Sequence, residues 1–222
     1  MNILAICAHP DDETLGCGGT LLRHHAEGDR LHWGIVTAAH EPQWSTTLIE
    51  RKSKEIATVA EAYQMQSVDR LYLPTTQLGD IPVSRVIDGL RAVIEKVRPD
   101  IVYMPHFGDV HTDHGVVYTA AMSVLKAFYM QRFGVKRIFT FETLSSTEAA
   151  APRQATAFVP NVYVDITPFC ERKIEIMNMY ETELHADPSP RGPSALRALA
   201  RYRGATVATE YAEAFMLVRE LI

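Results

Sequence analysis

One imidazole and three carboxylates stand within five consecutive positions, His9-Pro10-Asp11-Asp12-Glu13, directly after the apolar run Ile3-Leu4-Ala5-Ile6-Cys7. Carboxylates this close raise one another's pKa and repel unless a cation or hydrogen-bond donors hold them. A divalent metal resolves that conflict. A second group with ligand chemistry, His111-Thr112-Asp113-His114, lies near the middle of the chain. Two imidazoles and one carboxylate drawn from these groups suit zinc and leave a coordination position open for water. Zinc acidifies such a water and polarises a carbonyl, and a carboxylate beside the metal then serves as general base. Together the clusters predict a metallohydrolase.

Each cluster alone has a plainer meaning. Asp11 or Asp12 can cap a helix beginning near Thr14, where acidic residues suit the positive helix end. Residues 111–114 can likewise be a capped helix start. What favours chemistry is the topology that must position them. Short apolar runs at 3–8, 31–38, 70–73, 100–104 and 137–141 read as strands. Helical patterns fill the gaps at 14–26, 47–63, 86–97 and 115–128, the third ending before Arg98-Pro99. This alternation predicts an α/β fold, Rossmann-like, with a mostly parallel sheet and helices on both faces. In the common strand order the first and fourth strands are neighbours where the winding reverses, the place where such sheets bind ligands. His9–Glu13 follows the first strand and His111–His114 the fourth, so both clusters open into one crevice.

Beyond about residue 145 the rhythm changes. A strand interrupted by Pro160 is expected at 158–166, a helix at 169–183, a three-proline loop at 187–193, a helix at 194–203 and a final strand at 214–222. No linker marks a boundary, so residues 1–222 read as one domain: a βα core over 1–145 and a C-terminal extension over 146–222 that shapes the pocket.

A dinucleotide site at Gly16-Cys17-Gly18-Gly19 fails on spacing, on its distance past the strand end, and on three carboxylates where a pyrophosphate belongs. These glycines are expected to permit close helix–sheet packing. The 222 residues are 47% hydrophobic and 22% charged, enough for one sizeable core. A net charge of −5 argues against nucleic acid or an anionic membrane as the main partner. Three cysteines, odd in number and without close paired spacing, the lack of a basic leader and the lack of a long apolar run predict a cytoplasmic protein without stable membrane insertion.

Ala8-His9-Pro10-Asp11-Asp12-Glu13-Thr14-Leu15-Gly16, followed by Gly18-Gly19, and then His111-Thr112-Asp113-His114 resemble the paired motifs of the PIG-L/LmbE-like zinc-dependent N-deacetylases. The resemblance runs to about Ala127, and more loosely through 141–146 and the C-terminal region. It implies His9, Asp12 and His114 as zinc ligands and Asp11 as the general base. His111 would stabilise the oxyanion or protonate the leaving amine, with Asp113 orienting His111 and keeping it cationic. It implies removal of acetyl from an N-acetylglucosamine-type amino sugar or conjugate. Alternatives are an amidase acting on a thiol-sugar conjugate or other acylated amine, and a metal-binding module without turnover. It also implies a homo-oligomer, trimeric or hexameric. Candidate substrate contacts are His40 and Trp44 after the second strand, Arg51 or Lys52 preceding Glu55, Glu142, and Arg191 in the proline loop. His106 is a further loop candidate.

Overall fold

Residues Ile3 to Cys7 are all buried, and alternate side chains leave the strand on opposite faces. Ile3, Ala5 and Cys7 join one apolar layer, while Leu4 and Ile6 join the other. A strand apolar on both faces belongs at the centre of a sheet covered on both sides. The structure, a computed structural model, describes residues 1–151 and 153–222. It places this strand, β1 (Asn2–Cys7), between β2 (Arg30–Ala38) and β4 (Ile101–Pro105), parallel to both.

The seven-stranded order is β3-β2-β1-β4-β5-β7-β6, with β3 at Ser67–Pro74, β5 at Arg137–Phe141, β6 at Val162–Asp165 and β7 at Ala212–Glu220. The first five strands run parallel, and β7 is antiparallel to both of its neighbours. The chain winds outward through β2 and β3, then crosses back to β4. The carboxyl ends of β1 and β4 therefore part at the reversal and open the expected crevice.

Helices α1 (Asp12–Ala26), α2 (Thr46–Ala62), α6 (Cys170–Met177) and α7 (Pro193–Ala205) cover the Ile3 face, while α3 (Val83–Val97), α4 (Thr112–Val124) and α5 (Ala127–Phe133) cover the Leu4 face. In α3 the buried stripe Val86, Leu90, Val93, Ile94 and Val97 keeps helical spacing, and the helix stops at Arg98, left-handed ahead of Pro99. The Gly16 expectation has a clear cause: a Cβ there would lie 2.1 Å from the Phe141 ring. No helix of the described residues is long and apolar enough to cross a membrane.

Several elements depart from their sequence bounds. The helix expected at 115–128 is two helices, and the first starts earlier because His111 caps it. Strand β6 begins only at Val162, since Pro160 has no N–H for a ladder. The helix expected at 169–183 ends at Met177. Beyond it, Glu55 takes hydrogen bonds from Thr182 N (3.0 Å) and Thr182 Oγ1 (2.6 Å), fixing a turn where a helix would have run on.

A buried ion pair ties the C-terminal strand to α1. That helix breaks at Cys17, whose φ and ψ are −141° and 17°. Just past the break, Gly19 N and Thr20 N donate to Glu213 at 2.8 and 2.7 Å, and Lys173 Nζ donates to Glu213 (2.7 Å) and to Leu15 O (3.0 Å). Removing one partner strands a buried ammonium and two amides. Glu213→Ala is expected to cost about 3–5 kcal/mol of folding stability, read by urea denaturation; a loss under about 1 kcal/mol would assign the pair no structural weight.

Candidate metal centre and active site

The loop after β1 is clamped to β2, because Ala8 O accepts from Thr37 N (2.9 Å) and Thr37 Oγ1 (2.7 Å). His9 N donates to Asp12 Oδ2 at 2.9 Å, which turns the Asp12 carboxylate back toward the strand end. Asp11 sits between them at φ 112°, ψ −29°, a left-handed conformation rare outside glycine. Such strain costs of order 1–3 kcal/mol and persists at sites where a side chain must be aimed. Its carboxylate makes no capping bond to α1; it meets Arg191 Nη1 at 3.0 Å. Glu13 is buried below, accepting from Tyr180 Oη (2.6 Å), Thr14 Oγ1 (2.7 Å) and Asp11 N (3.2 Å). Burial pushes its carboxyl up to about 7 against those bonds.

The loop after β4 brings the second cluster. His111 is the N-cap of α4 and its Nδ1 accepts from Asp113 N at 3.2 Å, so the helix-start reading and the chemical one describe the same residues. His114 lies one turn in, buried. Its Nε2 is 3.3 Å from Asp12 Oδ1 and its Nδ1 is 3.1 Å from Asp109 Oδ2, neither contact at a hydrogen-bonding angle. His9 Nδ1 stands 3.8 Å from Asp12 Oδ2. The rings of His9, His111 and His114 have centroids 4.4 to 5.3 Å apart, and each offers a nitrogen within 4.8 Å of the others.

Burial alone would raise the Asp12 pKa, but the charges and contacts of His114 and His9 outweigh it and hold the carboxyl below its usual range. Burial works against protonated His114, yet Asp12 and Asp109 push it up to about 10. Burial and the facing His9 and His114 bring His111 down to about 4. Burial also raises Asp11, with Arg191 opposing it. Asp12 and Asp109 thus flank the His114 ring, one at each nitrogen, and favour positive charge there.

The expected partnership of Asp113 with His111 takes another form. Asp113 Oδ2 meets His9 Nε2 at 3.0 Å and accepts from Thr76 N at 2.7 Å, while Oδ1 accepts from Leu78 N at 3.2 Å. Its carboxylate orients His9, and His111 is left neutral. The loop after β3 decides this, because its amides fix the carboxylate away from His111.

Residues 4–125, more than half of the chain, match the family model described as PIG-L, GlcNAc-PI de-N-acetylase. The chain belongs to the PIG-L family. Among curated relatives, the uncharacterized deacetylase YaiS of Escherichia coli (strain K12) is 27% identical over 74% of this chain and 81% of its own. The diacetylchitobiose deacetylase of Thermococcus kodakarensis is 24% identical over 97% of this chain and 82% of its own. Among solved structures, the conserved protein TT1542 from Thermus thermophilus superposes with a TM-score of 0.77 and 26% identity, over 99% of this chain and 96% of that one.

Beside the cluster this PIG-L chain has a cavity of about 320 Å³. His9, Asp11 and His111 form its inner end, and Trp44, Ile49, Lys52, Arg70 and Tyr72 line its outer walls. Of the expected substrate contacts, His40, Trp44, Lys52 and Arg191 line it. Lys52 is ion-paired with Glu183, and Arg191 bridges Asp11 and Glu183 (3.2 Å). Arg51 does not line it; it is exposed and pairs with Glu181. Glu142 also lies elsewhere, held at 2.8 and 2.7 Å by Arg203 beside a separate small cavity. His106 braces a loop through Thr156 O at 3.0 Å.

Sequence reading missed Asp109. Its Oδ1 accepts from His111 N (2.8 Å) and its Oδ2 from Ser146 Oγ (2.8 Å) and Thr147 Oγ1 (2.7 Å), fixing it against His114. Its only signal is its place two residues before the second motif, where an aspartate usually means a turn.

Proposed function

We propose that this protein is a zinc-dependent hydrolase that removes the N-acetyl group from an N-acetylglucosamine-type amino sugar or conjugate, releasing acetate. The observation that carries the reading is the convergence of His9, Asp12 and His114 beside a strained Asp11 at the inner end of the cavity.

The donor set fits a metal. The Asp12 carboxylate lies within reach of both imidazoles, Oδ1 at 3.3 Å from His114 Nε2 and Oδ2 at 3.8 Å from His9 Nδ1, and carboxylate and imidazole are ordinary zinc ligands. His114 Nε2 is buried without a hydrogen-bond partner among the described residues. His9 carries a hydrogen-bonded carboxylate on its other nitrogen, Asp113, the support usual for metal-binding histidines, and Asp109 Oδ2 lies 3.1 Å from the other nitrogen of His114. His111 has one nitrogen committed to capping α4, which favours Asp12 over it as third ligand. Bound there, zinc would supply Lewis acidity toward the acyl carbonyl and a nearby water.

The chain's own groups divide the rest. Asp11 takes the proton from the attacking water, and Arg191 aims its carboxylate while opposing the upward push of burial on its pKa. His111, neutral at rest and facing the same cavity, is placed to donate to the developing oxyanion through its free nitrogen.

The test is acetate release from a panel of N-acetylglucosamine conjugates by protein of measured metal content. Metal-loaded protein that releases none from any of them would refute the reading. Within it, Asp109→Asn is expected to lower zinc affinity or activity about 10–100-fold, since it loosens the His114 ring without removing a ligand. Zinc titration against a competing chelator checks this, and unchanged affinity and rate would leave Asp109 without a role at the centre.

A further inference from the structure

Two acidic and three basic side chains line the cavity: Asp11 and Glu183 against Lys52, Arg70 and Arg191. Arg191 pairs with both acids, and Lys52 pairs with Glu183. Arg70 alone of the five has no carboxylate partner among the described residues. Its polar contact is Ser53 Oγ, 3.5 Å from Nη1, at the outer limit of a hydrogen bond, and its Nε is buried with no acceptor. A guanidinium carries five donors, and leaving one of them buried without an acceptor is costly.

The group is also held in place. It projects from strand β3, and its Cζ lies over the Tyr72 ring, 4.5 Å from its centre, a cation–π contact that holds the group. Trp44, also lining the cavity, has a buried indole N–H without an acceptor among the described residues. Donors outnumber acceptors here, although the chain as a whole is acidic.

We propose that Arg70 is the centre of an anion subsite in the outer cavity, with Trp44 and Tyr72 as its walls, so that the acylated amine carries a carboxylate or phosphate group on the side facing α2 and β3. This deepens the deacetylase reading and rests on it for the position of the scissile amide. The acidic group of the substrate supplies the acceptors Arg70 lacks. The pairing is charge-assisted and forked, and it orients the ligand as well as attracting it.

The test uses amino sugars that the proposed reaction does not consume. Calorimetry compares glucosamine with glucosamine 6-phosphate and with muramic acid, one arm for phosphate and one for carboxylate. At least one charged form is expected to bind about tenfold more tightly than glucosamine, and high salt should shrink the difference. Arg70→Met should erase the preference and Arg70→Lys should restore part of it, with melting curves showing that both variants fold. Equal binding of neutral and charged sugars overturns the proposal, as does a preference that survives Arg70→Met. The acetylated counterparts separate the two readings. Acetate released equally from neutral and charged forms sinks the subsite and spares the deacetylase. An Arg70-dependent preference with no acetate from any form does the reverse.

Discussion

Asp11→Asn is expected to lower kcat for acetate release by about a thousandfold, within the range general-base removal usually costs. The substitution keeps the size of the side chain and one oxygen for Arg191, but no acceptor able to take a proton from water. Zinc content should hold, because Asp12 and the two imidazoles are untouched. Folding should hold as well: burial already disfavours the charge of Asp11, and asparagine tolerates a left-handed backbone better than most residues. The acid limb of the pH–rate profile, where the wild-type carboxylate takes up its proton, should vanish with it. Single-turnover rates on metal-matched proteins check the prediction. A kcat within about tenfold of wild type would move the base elsewhere, since even weak general bases contribute about a hundredfold.

The central sheet was legible because its signals are local and periodic. A β1 that is apolar on both faces, and a helix halted by Arg98-Pro99, admit few other readings. Alternation predicts the parallel sheet, and the common strand order of such sheets then sets two motifs far apart in sequence in one crevice. The C-terminal bounds were harder. Where the helix after Phe169 ends depends on Glu55, a residue of α2, gripping Thr182, and no periodicity in the segment itself encodes that contact.

At the site, residue types were readable and partnerships were not. The resemblance implies that Asp113 serves His111, its near neighbour in the second motif. The structure gives Asp113 to His9, because Thr76 N and Leu78 N seize the carboxylate from a loop with no motif of its own. Arg191 shows the same limit. Proline content identified its loop, but its approach to Asp11 depends on Asp187 anchoring Ser194 at the start of α7. The unpaired state of Arg70 is less legible still: it is a property of every carboxylate that lies elsewhere.

His114→Ala should separate the ligands from their neighbours. It leaves Asp12 and Asp109 facing each other across a hole where the shared positive charge had been. Zinc content should fall below one ion per chain, and kcat/KM should fall about a thousandfold or more, because a Lewis acid contributes several kcal/mol at the transition state. His111→Ala should keep the metal and lose about 10²–10³ in kcat, the usual cost of an oxyanion donor. Full zinc retention in His114→Ala, or its loss in His111→Ala, would reassign the third ligand. Proton uptake gives an independent reading. Without metal, Asp12 and Asp109 hold a proton on His114 up to about 10, and zinc at Nε2 must displace it. Below that pH the apparent zinc affinity of the wild type should therefore rise with pH, by about tenfold per unit for this one proton. Titration in weakly buffered solution should register its release, and the release should disappear in His114→Ala.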